Sequence, residues 1–145
     1  MAEAVIARDN VFIEDSVHTL YKELTDGTDL VSSPFRTMKE MFMWAATLGF
    51  SLGERRPLQG KKVMVFRWAQ FSPQVDVPII KAMAIAGSND LSILARQDDM
   101  LIATEEYANR GILALRAAIA NDTTQPLWLL AGELNRIPPT EMDRV

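Results

Sequence analysis

Cysteine is absent from this chain of 145 residues. That absence excludes disulfides, zinc–thiolate sites and a thiol nucleophile, and it fits a reducing compartment. Histidine occurs once, at His18, so a histidine-based triad or metal centre has little to draw on. No apolar run approaches the roughly 18 residues of a membrane span. The first residues, MAEAVIARDN, lack a basic flank followed by a long apolar core, so no signal peptide is expected and the expected location is the cytoplasm. Internal repeats and low-complexity tracts are missing too. So is a basic excess: 15 Lys and Arg stand against 19 Asp and Glu, for a net charge of −4. Residues 1–72 carry nine of each sign, whereas residues 73–145 carry six cations and ten acids. A protein that wraps nucleic acid by broad neutralisation is usually basic, so any DNA contact here has to come from a local patch.

The length favours one domain. A chain of this size buries roughly two-thirds of its unfolded surface and needs no covalent staple. Apolar residues make up 48% and charged residues 23%, an ordinary globular balance. The expected organisation is a flexible tail over residues 1–10, a single helical domain over 11–137 and a flexible tail over 138–145. The expected fold is mainly α, with five or six helices and at most a small β element.

Val11, Phe12 and Ile13 form a short β-prone run. Glu14 and Asp15 suit a helix N-terminus, and Val17, Leu20, Tyr21 and Leu24 follow as an amphipathic stripe. Thr25-Asp26-Gly27 ends that helix. Ser33 is placed to cap the next helix with Pro34 at its first position. This helix is expected from Phe35 to Leu48 and is apolar around most of its girth, which implies burial on several sides or a partner. Gly49 and Gly53 both suit its left-handed end. Val63 to Phe66 reads as a short strand. Further helices are expected over Val77–Ala86 with Asp76 as cap, from the cap Asp90 through Ala95, over Met100–Ala120, and over Trp128–Leu134 after the cap Thr124. Gly111 inside the longest of them costs about 1 kcal/mol against alanine, which points to a close helix–helix approach.

Few groups suggest chemistry. His18 reads as a surface or edge residue. Glu105 lies on the margin of an apolar stripe; such a carboxylate either acts as an acid or is paired at a helix junction, and the second reading is preferred. Gly49 and Gly53 precede Glu54-Arg55-Arg56 and lack the lysine and hydroxyl residue of a phosphate loop. Nothing points to a catalytic centre, a cofactor or a metal.

The one charge cluster is Arg55, Arg56, Lys61, Lys62 and Arg67, five cations against Glu54 alone within residues 54–67. Arginine forks match phosphate or carboxylate, and the interleaved Phe66, Trp68 and Phe71 suit stacking on bases. The alternative is a solvated turn that serves only the protein's own acids. Val11-Phe12-Ile13 followed by two helices also admits a ribbon-helix-helix reading, in which paired strands of a dimer enter the major groove.

The block Phe35 to Phe50 (FRTMKEMFMWAATLGF), followed by Arg55-Arg56-Pro57-Leu58, resembles the family called DNA phosphorothioation-associated protein 4, or Dnd system-associated protein 4. Glu105 to Ile112 (EEYANRGI) agrees with it, and Ile80 to Leu94 is similar. The likeness covers about Val11 to Leu115. The resemblance implies a role beside bacterial systems that replace a phosphate oxygen of DNA with sulfur, in restriction and antiviral defence. It supplies no catalytic residues. Packing explains the apolar members of these blocks, so Arg55, Arg56, Asn109 and Arg110 are the expected functional surface. The implied function is that of a non-enzymatic accessory subunit contacting a larger protein, with double-stranded DNA as a further partner and self-association open. The alternative is a small DNA-binding protein, a mark reader or repressor, using residues 55–67.

Overall fold

The structure is a computed structural model and describes residues 8–27 and 33–121. The elements run β1 (Asn10–Glu14), α1 (Asp15–Thr25), α2 (Met38–Ser51), β2 (Lys62–Arg67), α3 (Asp76–Ser88) and α4 (Gln97–Asn121), with 3-10 turns at Trp68–Gln70 and Leu91–Ala95. Five or six helices were expected; the described residues form four α-helices. The expected helix after Asp90 is the second 3-10 turn, with the Asp90 carboxylate accepting from the Ser92 amide at 2.9 Å. The one expected over Trp128–Leu134 lies outside the described residues.

β1 and β2 form a two-stranded antiparallel sheet. Val11 faces Phe66 and Ile13 faces Val63, with an irregularity opposite Val65. Val11, Ile13 and Phe66 are buried, so alternation sends one face of the sheet into the core. The ribbon-helix-helix reading fails here. β1 pairs within its own chain, and its other edge meets α4, where the Phe12 amide donates to Glu105 Oε2 at 2.7 Å. Residues 8–10, expected in a tail, are tied down: Asp9 O accepts from the Trp68 amide at 2.8 Å.

α1 buries Val17, Tyr21 and Leu24, three members of the stripe. α2 starts at Met38, later than expected. Thr37 is its cap: extended, with its hydroxyl accepting from the Glu40 amide at 3.1 Å. The Glu40 carboxylate reaches back to the Arg36 amide at 3.1 Å. Thr37-x-x-Glu40 satisfies two end groups reciprocally, which Ser33-Pro34 has no partner to do. Ser33 instead donates to the Glu23 carbonyl. Gly53 supplies the left-handed end, at φ 74°.

The girth of α2 is absorbed by burial on several sides. Met41, Phe42, Met43, Ala45, Ala46 and Leu48 are all buried. Phe42 meets Phe66 edge to face at 5.4 Å, and Phe66 meets Phe71 at 5.2 Å. The partner of α2 is α4, whose Leu101, Ala108, Ile112 and Leu115 are buried. Gly49 and Gly111 let the two backbones touch, as Gly111 implied. Asp76 was expected as the cap of α3 but is its first residue. Its carboxylate accepts from the Ser72 amide at 2.8 Å and pairs with Lys39 Nζ at 2.8 Å, tying α3 to α2.

Candidate functional site

The segment between α2 and β2 is irregular, so its main-chain groups need partners from elsewhere. They come from α4 and from the end of β1. The Arg56 amide donates to the Glu106 carbonyl at 3.1 Å. Asn109 lies one helical turn further along α4, and its side-chain amide donates to the carbonyls of Arg56 at 3.2 Å and Pro57 at 3.3 Å. The same amide reaches Glu14 Oε1 at 3.2 Å, and that oxygen also accepts from the Gln59 amide at 2.9 Å. The Lys61 carbonyl accepts from the Asp15 amide at 2.8 Å.

Two ion pairs fasten the outside of this turn. Arg55 Nε lies 3.1 Å from Glu106 Oε1, and Arg110 Nε lies 3.0 Å from Glu54 Oε2. The Arg55 guanidinium also stands over the Tyr107 ring, 5.8 Å from its centroid. Each pair is partly exposed and contributes at most about 1 kcal/mol. Together with the buried amide they hold the turn in one conformation.

The expected site residues therefore separate by role. Arg55 and Arg110 are engaged with carboxylates. Asn109 is buried at 4% exposure, so it supports the turn from within and does not itself face a partner. Arg56, Lys61, Lys62 and Arg67 are exposed. None of these four is within ion-pair distance of a carboxylate among the described residues. Arg56 and Lys61 lie on the turn between α2 and β2, and Lys62 is the first residue of β2. Arg67 is at the far end of β2, roughly 17 Å from Lys62 at the usual rise of a strand.

The expected aromatic partners of this patch are largely withdrawn. Phe66 and Phe71 are buried in the core and cannot stack on bases; only Trp68 keeps partial exposure. The buried faces of Phe66 and Phe71 follow from contact with Phe42, which spacing alone does not reveal.

Glu105 is the paired carboxylate that the helix-junction reading anticipated. It accepts from the Arg8 guanidinium and the Phe12 amide. Burial pushes its carboxyl above the ordinary glutamate value, against the lowering influence of those two donors and of the nearby positive charge of Lys62. A cavity of about 220 Å³ opens beside it, walled by Arg8, Lys62, Glu105 and Glu106 together with Phe12 and Ile102. Arg8 was not singled out from the sequence, and Glu14 was read only as a residue of a helix start. Their partners Glu105 and Asn109 are 97 and 95 residues away in the chain, and no local spacing carries that signal. Among the described residues no cluster of three or more His, Asp or Glu is placed to hold a metal, and no helix is long and apolar enough to cross a membrane.

No curated protein and no solved structure matches the chain. The sequence model of the family described as DNA sulphur modification system-associated protein 4 matches residues 13–139. That match takes in the end of β1, the whole of β2, all four described helices and the clamped turn, and the chain belongs to this family, whose members are associated with a DNA sulphur modification system.

Proposed function

We propose that the protein is a non-enzymatic accessory subunit of a bacterial DNA phosphorothioation-linked modification and restriction system. It docks a larger subunit of that defence complex through the basic turn. The supporting observation is the clamp. Arg55, Asn109 and Arg110 anchor the turn to α4, Arg56 and Lys61 are left exposed on it, and Lys62 is exposed where it runs into β2. A turn held this way loses little freedom on binding, which favours recognition by a complementary acidic surface. The engagement of Glu105 by Arg8 and the Phe12 amide favours a structural carboxylate over a catalytic acid.

The test is co-expression with the other proteins of the modification system, followed by size-exclusion chromatography. The wild-type chain is expected to co-elute with a larger component. The triple variant Arg56→Ala, Lys61→Ala, Lys62→Ala is expected to fold normally and elute alone. Unchanged co-elution of the variant would reject the turn as the docking surface.

A second reading has the same cations meet duplex phosphates. Four exposed cations, none within ion-pair distance of a carboxylate among the described residues, support it. With so few contacts, affinity would be modest and would fall steeply with salt, by about 0.9 logarithmic units per logarithmic unit of salt for each phosphate engaged. Fluorescence anisotropy with plain and phosphorothioated duplexes tests it. A salt-dependent titration would favour this reading, and preference for the sulfur duplex would make the protein a reader of the mark.

A further inference from the structure

Among the described residues β2 has one strand neighbour, β1. The main-chain groups facing that neighbour are engaged at both ends: the Lys61 carbonyl accepts from the Asp15 amide, and the Trp68 amide donates to the Asp9 carbonyl, each at 2.8 Å. Alternation, allowing for the extra residue Val65, turns the main-chain groups of Lys62, Met64 and Arg67 the other way. Among the described residues nothing pairs with that outer edge. The sheet's two edges are thus treated differently, since Glu105 caps the Phe12 amide on the outer edge of β1.

The open edge carries Lys62 and Arg67 near its ends and Met64, 46% exposed, between them. It carries no acid. Charged edges commonly guard a sheet against pairing with its own copies, and this one does so: a centred antiparallel pairing of two β2 strands sets Lys62 beside Arg67 of the second copy. Like charges opposed across a strand pair destabilise it. The same two cations attract a strand of opposite sign. A cavity of about 420 Å³ borders β2, walled by Thr37, Met38, Lys39, Val65, Phe66 and Gln70. Main-chain pairing at an edge with an adjacent side-chain pocket is the usual arrangement for accepting an extended peptide.

We propose that the outer edge of β2 accepts an extended acidic segment of a partner protein as a third strand. Carboxylates of that segment meet Lys62 and Arg67, and an apolar side chain covers Met64. This deepens the docking reading of residues 55–67 and rests on it. Duplex DNA fits the edge less well, because phosphates only accept hydrogen bonds and leave the outward carbonyls of Lys62, Met64 and Arg67 without donors.

The experiment is amide hydrogen exchange by NMR on the full chain, with an end-blocked peptide alternating valine and glutamate as probe. The amides of Lys62, Met64 and Arg67 should exchange at least about tenfold slower with the peptide, and the inward-facing Val63 and Phe66 should not change. A peptide alternating valine and lysine should give no protection. Met64→Glu keeps the backbone donors but sets an acid at the centre of the edge; it should abolish the protection while the free protein keeps its own fold and spectrum. Peptide binding with shifts confined to residues 55–61 would overturn the strand edge and keep the turn as a docking surface. No peptide binding, together with normal partner co-elution of the Arg56, Lys61 and Lys62 alanine variant, would overturn both. Protection by a short DNA duplex in place of the peptide would overturn the acidic strand in favour of nucleic acid.

Discussion

Gly111 lies directly against the main chain of Ala45: a Cβ added to Gly111 would stand 1.9 Å from the Ala45 carbonyl oxygen. The contact is reciprocated at Gly49, where a Cβ would stand 1.8 Å from the carbonyl oxygen of Tyr107. Both obstacles are backbone atoms of the opposing helix, so neither can rotate away.

Alanine at Gly111 should therefore destabilise the protein even though it improves helix propensity. The propensity gain is about 1 kcal/mol, whereas overpacking a tight core costs about 1–3 kcal/mol. Parting α2 from α4 also opens the rest of their interface, so the net loss should be on the order of 2 kcal/mol. Urea unfolding of Gly111→Ala, Gly49→Ala and the double variant measures this. The two changes share one interface, so their effects should not add. Equal or higher stability in Gly111→Ala would mean that the helices do not cross this closely.

Asn109 should matter more for the turn than for the helix that carries it. Asn109→Leu keeps the volume but removes the donor to Glu14 and to the carbonyls of Arg56 and Pro57. Glu14 Oε1 keeps the Gln59 amide, so the loss is that of the amide's own hydrogen bonds, one of them to a charged group, and should be about 1–3 kcal/mol. The dynamic consequence is faster amide exchange at Arg56 and Gln59, with the α4 amides little affected. Uniform acceleration across the chain, or none, would show that the clamp does not depend on this amide.

Glu105 should make stability fall as pH rises. Its folded-state carboxyl is pushed up by burial, whereas the unfolded chain has the ordinary value of 4.5. Below that value both states are protonated and the group contributes no penalty. As pH climbs from 4.5 through the raised folded value, the unfolded chain releases the proton first, and stability is lost until the folded carboxyl has ionised too. Glu105→Gln removes this titration. The wild-type minus variant difference in unfolding free energy should therefore decline across that window and level off above it. A flat difference would show that the Arg8 guanidinium, the Phe12 amide and the Lys62 charge balance the burial, and one that grows with pH that they outweigh it.

Much of the framework was legible in the chain. Val17, Tyr21 and Leu24 are buried where their spacing placed them, and both short strands lie where β-branched and aromatic residues cluster. Gly111 announced a close approach because a glycine inside a helix needs a reason. Local competition was harder to judge. Ser33-Pro34 looks like a helix start, but Thr37 and Glu40 cap reciprocally, and α2 begins after them. The candidate site was legible only as a group of cations. Which were engaged and which free depended on Glu106 and Glu54, and Asn109 looked like a surface residue until Glu14 and the turn carbonyls closed over it.

What residue order alone determined was periodic and local: which faces are apolar, where strands and helices form, and that five cations crowd residues 54–67. Those properties follow from side-chain spacing along a single element. What only the tertiary structure decided was pairing. Glu14, Glu105 and Asn109 acquire their roles from groups far away in the chain, and among the described residues β1 covers one edge of β2 while α4 caps the outer edge of β1, which leaves the outer edge of β2 open. Burial and hydrogen-bond satisfaction are properties of the packed whole, so the same basic residue is an anchor at Arg55 and a free contact at Arg56.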